Sequence, residues 1–296
     1  MKIGIIANIN KPEAFSVISS FVRLLTERHI PCVYAENLHH YLSLTDQETA
    51  PLSDIGNRCT VVVTFGGDGT ILSTAQHVGA TGVPIMGVNI GTLGFLAQVT
   101  VEELATTVAD LVDENYSIVE RMVFQVAIDR NGVRKTYFAL NDVVLDRGLG
   151  SRLIFIDARV NGVFLNSYRA DGLIIATPTG STAYSMSAGG PLAVPDLHAF
   201  IVTPICPHSL TVRPIVLADD CSIELSIRKE AEPVQVNIDG QNRDKLFFNE
   251  TVHIAKADYN LRWISIGQSE FFHTLRTKLN WGADHDGVRV GRAKRS

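Results

Sequence analysis

At 296 residues, 46% hydrophobic and 19% charged, the chain can build one large core or two modest ones, and no biased tract marks it as fibrous or disordered. A net charge of −5 and an isoelectric point near 6.0 exclude a general nucleic-acid binder with a basic face. An anionic small substrate stays open, because a local cation overrides the global sign.

The elements alternate through the first hundred residues. Ile3–Ala7 reads as a strand, far too short and too polar in its flanks for a signal or membrane segment. Lys11-Pro12 opens a helix with Phe15, Ile18, Val22 and Leu25 at helical spacing. Pro31–Ala35, the run from Cys59 to Phe65, and Val83–Val88 are the next strands. Continuous apolar strands separated by helices predict a parallel sheet covered on both faces, with ligands at the carboxyl ends of its strands. Two glycine-rich loops fall at such ends: Gly66-Gly67-Asp68-Gly69-Thr70 and Asn89–Phe95. In the first, three glycines clear side chains from one carboxylate, and a helix from Ile71 to Val78 follows. Glycine tolerates positive φ and close approach of another molecule, and an anion suits a helix start. A tight Asp-Gly turn explains the same residues without chemistry.

A helix begins at Thr100, with Glu103 completing a capping box and Leu104, Val108 and Leu111 on one face. After a boundary between residues 114 and 123 the texture changes. Strand pairs flank Asn131-Gly132 and Asn161-Gly162, the strongest short hairpin signal, and alternation recurs in Ser222–Ile227, Val234–Ile238 and Thr251–Ile254. An antiparallel β-rich half is expected. Within it, Asn141-Asp142 interrupts apolar sequence, so it must find partners, face a site or end a strand. Thr177, Thr179, Ser181, Thr182, Tyr184, Ser185 and Ser187 crowd one stretch. Such hydroxyls suit a base, a ribose or a phosphate; a surface loop with a capped helix accounts for them equally well. The four cysteines are scattered without a Cys-x-x-Cys spacing, which excludes a zinc knuckle or redox dithiol and fits a soluble, reduced, cytoplasmic protein. No P-loop, dinucleotide fingerprint after the first strand, His-Glu-x-x-His or nucleophile elbow occurs.

Gly-Gly-Asp-Gly-Thr after a strand, then Asn141-Asp142, then Thr177-Pro-Thr-Gly-Ser-Thr-Ala-Tyr-Ser185 with Ser187-Ala-Gly-Gly-Pro191, in this order, resembles the NAD kinase family. The resemblance runs from Met1 to about Trp281. It implies a Rossmann-like, doubly wound parallel-sheet domain followed by an antiparallel β-rich domain, the NAD kinase and diacylglycerol kinase-like fold. The domains would span 1–118 and 119–267, with about 268–282 packing back on the first and 283–296 a disordered tail. The implied reaction transfers the γ-phosphate of ATP to the adenosine ribose 2′-hydroxyl of NAD, giving NADP, with Mg²⁺ or another divalent ion.

By matching to the family's motifs, Asp68 would be the general base, within the cradle of Gly66, Gly67, Gly69 and Thr70. Asn141 and Asp142 would hold ribose hydroxyls, Phe95 would line the pocket, and Thr182, Ala183, Tyr184, Ser185, Met186 and Ser187 would surround adenine and ribose. Arg152, Arg169, Asp171 and Gln241 would be further NAD contacts. Asp142 stands where many members have Glu, one methylene longer. Family likeness also implies a homodimer or homotetramer, with no nucleic-acid or membrane partner. A lipid or sugar kinase of the same superfamily and a non-catalytic dinucleotide-binding regulator are the competing readings.

Overall fold

The computed structural model describes residues 1–43, 47–91, 94–97, 99–148, 150, 152–228, 233–266 and 271–280. The tail expected over 283–296 and part of the segment 268–282 lie outside the described residues. In chain order the first half holds β1 (Ile3–Ala7), α1 (Ala14–Glu27), β2 (Cys32–Ala35), α2 (Leu38–Tyr41), β3 (Glu48–Ala50), β4 (Val61–Gly66), α3 (Asp68–Val78), β5 (Ile85–Asn89) and α4 (Leu104–Val112). The second half holds β6 (Ser117–Arg130), β7 (Val133–Ala139), β8 (Asp142–Asp146), β9 (Ile154–Val160), β10 (Val163–Ala170), β11 (Gly172–Ala176) and α5 (Tyr184–Ser187). It continues with β12 (Ala199–Ile205), β13 (Ile215–Ala218), β14 (Ile223–Ile227), β15 (Val234–Ile238), β16 (Gln241–Leu246), β17 (Thr251–Ser265) and α6 (Phe271–Leu279).

Strands β5, β4, β1, β2 and β3 pair in parallel in that spatial order. Every residue of β1, β4 and β5 is buried, which is why these strands read as unbroken apolar runs rather than alternating ones. The expected helix after Lys11-Pro12 forms, but its buried stripe is Ala14, Val17, Ile18, Phe21 and Leu25. Phe15 is exposed at 52% and meets Tyr41 edge-on instead. Spacing alone could not choose between the 15/18/22 and 14/17/21 stripes, since both are helical. Phe21 packs edge-to-face on Phe65 with ring centroids 5.0 Å apart, and burying a side chain of that kind contributes about 1.5–3 kcal/mol. The three-residue edge strand β3 has no apolar run to announce it; Glu48 there pairs with Lys2 at 2.7 Å. The Thr100–Glu103 capping box is present and leads through one tight turn into α4.

In the second half β6 and β7 turn at Asn131-Gly132, and β9 and β10 turn at Asn161-Gly162. All four turn residues have φ between 49° and 78°, the mirror-image turn that Asn-Gly favours. A second sheet, entirely antiparallel, runs β13-β12-β11-β8-β15-β16. It packs face to face on β6, β9, β14 and β17, and Phe124 from one sheet meets Phe200 from the other at 4.6 Å. Strand β17 is shared: it pairs antiparallel with β6 and β14 and, at Trp263, in parallel with Ile85 of β5. The parallel strands and part of the β-rich half therefore form one continuous sheet. Among the described residues no helix is long and apolar enough to cross a membrane.

Candidate active site

Strand β4 delivers its chain at Gly66 directly into α3. The glycines there differ in purpose. A Cβ on Gly66 would lie 2.3 Å from the Thr70 hydroxyl oxygen, whereas one on Gly67 or Gly69 would meet nothing within 4 Å. None of the three has positive φ, so the loop needs glycine for close approach, not for a left-handed backbone. Gly67 and Gly69 accordingly line a cavity of about 510 Å³ with Asn8, Lys11, Thr70 and Ser73. It opens at the carboxyl ends of β1 and β4, where α/β sheets bind ligands.

Asp68 is the first residue of α3. Its carboxylate accepts three consecutive backbone N–H groups: Phe95 on Oδ2 at 2.9 Å, Leu96 on Oδ1 at 3.0 Å and Ala97 on Oδ1 at 3.3 Å. Gly94 makes this approach possible, because a Cβ there would sit 1.9 Å from Asp68 Oδ1. A carboxylate offers about four acceptor sites, and donors among the described residues fill three. The Phe95 ring, one residue on, lies 4.6 Å from Lys278 Nζ of α6.

The second half presents a matching arrangement that the sequence reading passed over. Asp239 turns the chain between β15 and β16 and is only 7% exposed. Its carboxylate accepts the consecutive N–H groups of Leu140 (3.0 Å), Asn141 (2.7 Å) and Asp142 (3.2 Å), and the Gln76 side-chain amide of α3 at 3.2 Å. The signal was available, since Asp239-Gly240 sits between an alternating run and a second strand, as the Asn-Gly pairs do. A cavity of about 410 Å³ opens beside it, lined by Leu72, Asn141, Asp142, Asp146, Tyr184 and Asp239 among others.

Helix α3 joins the two cavities. Asp68, Leu72 and Gln76 recur every fourth residue and so form one stripe of the helix. Leu72 lines the second cavity, and Gln76 reaches Asp239 at its floor. Asp68 stands just over one turn, about 6 Å, before Leu72 on that stripe. Thr70, Ser73 and Thr74 turn toward the first cavity.

Electrostatics single out the acidic pair. Burial pushes the Asp142 carboxyl up to about 7; the charge of Asp239 adds to this, and the Tyr184 N–H opposes it. Burial also raises Asp239, against the three N–H groups and Gln76 that favour its ionised form. Asp239 holds the donors, so it is the charged member, and Asp142 is the one that takes up a proton. Beside them Asn141 Oδ1 is buried with no hydrogen-bond partner among the described residues, a cost that an incoming hydroxyl would relieve.

The hydroxyl-rich stretch is mostly structural. Thr177 donates to Leu140 O and accepts from Gly180 N; Ser181 exchanges bonds with Ala193; and Ser185, fully buried, bonds Thr203 at 2.9 Å. These bonds press residues 177–187 onto the Asn141 strand end so closely that a Cβ on Gly180 would lie 2.0 Å from Asn141 O. Four of the seven hydroxyl residues are buried rather than on a surface loop, Thr177, Thr179, Ser181 and Ser185, and of these Thr179 Oγ1 has no hydrogen-bond partner among the described residues. Ala183 and Tyr184 reach the cavity. Thr182 donates to Thr179 O, and Met186 and Ser187 lie outside the lining.

The remaining expected contacts are not among the residues that line either cavity. Arg169 lies over the Phe155 ring at 5.7 Å, Asp171 pairs with Arg147 at 3.0 Å, and Arg152 and Gln241 are exposed. Lys11 and Asn8, unremarked in sequence except as a helix start, line the first cavity. Among the described residues no group of three or more His, Cys, Asp and Glu could hold a metal.

Comparisons with known proteins agree over nearly the whole chain. Residues 3–116 match the family model described as the ATP-NAD kinase N-terminal domain, and residues 140–266 match the ATP-NAD kinase C-terminal domain. The chain is 39% identical over 287 residues to the NAD kinase of Chlorobium chlorochromatii, covering 97% of this chain and 99% of that one. It is 39% identical over 283 residues to that of Geobacter sulfurreducens, covering 95% and 99%. Among solved structures, yeast NADH kinase complexed with NADH superposes with a TM-score of 0.89 at 25% identity, over 99% of this chain and 90% of that one. An NAD kinase from Archaeoglobus fulgidus in complex with ATP gives 0.74 at 24% identity, over 95% and 99%, and shares the fold.

Proposed function

The chain belongs to the NAD kinase family, whose reaction is the ATP-dependent phosphorylation of NAD, and on that premise we propose how its two cavities divide the work. The 410 Å³ cavity takes the adenosine end of NAD, and the 510 Å³ cavity takes the donor phosphates of ATP. The carrying observation is helix α3, which begins at Asp68 and contributes Thr70, Ser73 and Thr74 to one cavity and Leu72 to the other. The orphaned Asn141 Oδ1 supports the first assignment, because a ribose hydroxyl supplies the missing donor. Lys11 and the first turn of α3 support the second, as both favour phosphate.

Asp68 accepts the proton of the 2′-hydroxyl while its oxygen forms the bond to the γ-phosphorus and the bond to the ADP oxygen breaks. The three N–H groups fix the carboxylate so that its spare lone pair faces the acceptor. Phosphoryl transfer depends on positioning and charge stabilisation; Lys11 supplies part of that charge where no P-loop lysine exists. The described side chains form no metal cage, and Mg²⁺ binds readily through phosphates and one or two carboxylates. A divalent ion would enter with the ATP phosphates and neutralise part of their charge.

Assembly into a homodimer or homotetramer is part of the same reading. Exposed Val163 and Phe164 begin the edge strand β10, which also carries Arg169, so a second copy could bring that arginine to a site it does not reach within its own chain. Light scattering reads the mass directly, and a monomer at working concentration would remove this part.

Paired variants test the cavities. Lys11→Met should raise the KM for ATP and leave that for NAD, and Asn141→Ala should do the reverse. A reversed pattern would exchange the assignments, and no change in either would abandon them.

A further inference from the structure

Gln76 holds an unusual position in this chain. Its amide nitrogen donates to Asp239 Oδ2 at 3.2 Å, and its amide oxygen accepts from Arg243 Nη2. A carboxylate on one side and a guanidinium on the other fix which way the amide points, because the flipped amide would set donor against donor and acceptor against acceptor. These are the side-chain hydrogen bonds that run from α3 into the second half among the described residues. The Asp239 that Gln76 touches also holds the backbone at 140–142.

We propose that Gln76 is a positioning residue: through Asp239 it ties the helix bearing Asp68 to the turn bearing Asn141 and Asp142, and so sets the distance between base and acceptor. The proposal rests on the assignment of NAD to the 410 Å³ cavity. Catalytic rate responds steeply to such distances, since a misplacement of about 1 Å costs up to about 100-fold. A residue seen only as a half-buried polar side chain on a helix thus acts on kcat without touching either substrate.

Two variants test it with Asp68 intact. Gln76→Leu removes both bonds at similar volume, and kcat should fall about tenfold or more while the KM for ATP holds. Gln76→Glu places a carboxylate against Asp239. Its kcat should be low at pH 8 and recover as pH falls, because the protonated acid donates to Asp239 as the amide does. The ionisable groups around the contact are Asp142, Tyr259 and Arg243, so the wild-type profile is the reference, and only the difference between the two profiles counts. Wild-type kcat in both variants, even with a lowered melting temperature, would overturn the proposal and leave Gln76 a structural link. Failure of both to fold would also overturn it, since the contact would then be a folding requirement. Either result leaves the cavity assignment standing, because that is read separately from Lys11 and Asn141.

Discussion

Two carboxylates in this molecule are held the same way, and the proposed function puts them to different uses. Asp68 and Asp239 each accept three consecutive backbone N–H groups, from 95–97 and from 140–142. At Asp239 a fourth donor, Gln76, fills the set, and the side chain is buried. Saturated, it organises its neighbours and can do no acid–base work. At Asp68 no fourth donor is present among the described residues. The difference between a structural carboxylate and the base proposed above is thus one lone pair, together with the access that Gly67 and Gly69 leave around it.

That contrast can be broken most sharply at Asp68, the proposed base. Asp68→Asn should keep the fold and lower turnover by about 10²–10⁴-fold, or about 3–5 kcal/mol of barrier; near-normal turnover would make Asp68 a second clamp. Asp239→Asn must turn an NH₂ toward one of its donors. It should cost about 3 kcal/mol of stability in a denaturant titration, and a neutral result would mean that the turn at 140–142 supports itself.

The acidic pair gives the next effect. Asp142 has a folded pKa of about 7, above the unfolded carboxylate value near 3.9. The folded state therefore keeps a proton that the unfolded state has lost. The stabilisation is fully present below about pH 4 and disappears as pH rises through 7. From pH 5 to pH 8 stability should fall by about 2–3 kcal/mol from this source, and Asp142→Asn should flatten that slope; an unchanged slope would assign the proton elsewhere. The smallest effect is steric. Gly94→Ala sets a methyl against Asp68 Oδ1, and the carboxylate should shift enough to lower turnover about tenfold. Full activity would show that the loop yields instead.

Much of this was legible beforehand, for definable reasons. Asn131-Gly132 and Asn161-Gly162 announce their hairpins because few residues adopt positive φ, so local chemistry dictates the turn. The strands before Gly66 and Asn89 announce a buried parallel sheet because both faces are covered. In α1 Ile18 and Leu25 are buried as their spacing predicts, while Phe15 is exposed and Ala14, Val17 and Phe21 complete the stripe, because two overlapping stripes satisfy the same spacing. The site was harder to read. Asp68 stood out among glycines, but its three donors come from residues 95–97, and no local pattern reports a contact formed by chain return. Asp239 and Gln76 are far apart in sequence and meet only through the fold. The hydroxyls at 177–187 suggested ligand contacts, and composition could not report that Thr177 bonds Leu140 O, Ser181 bonds Ala193 and Ser185 bonds Thr203.

The pairing of β17 with β5 has a consequence for how the protein is made. The parallel strands and the loop bearing Asp68 leave the ribosome early, yet the partner of β5 at Ile85 is Trp263, near the end of the last strand. Val99 already covers β5 at its carboxyl end, but until Trp263 emerges the edge at Ile85, the start of the strand, lacks its partner, the kind of edge that recruits other chains. Lys278, which covers Phe95, comes later still. The loop that bears the proposed base is thus translated early and its sheet completed late, and a chain released before β17 is complete should aggregate rather than persist as a partly active kinase.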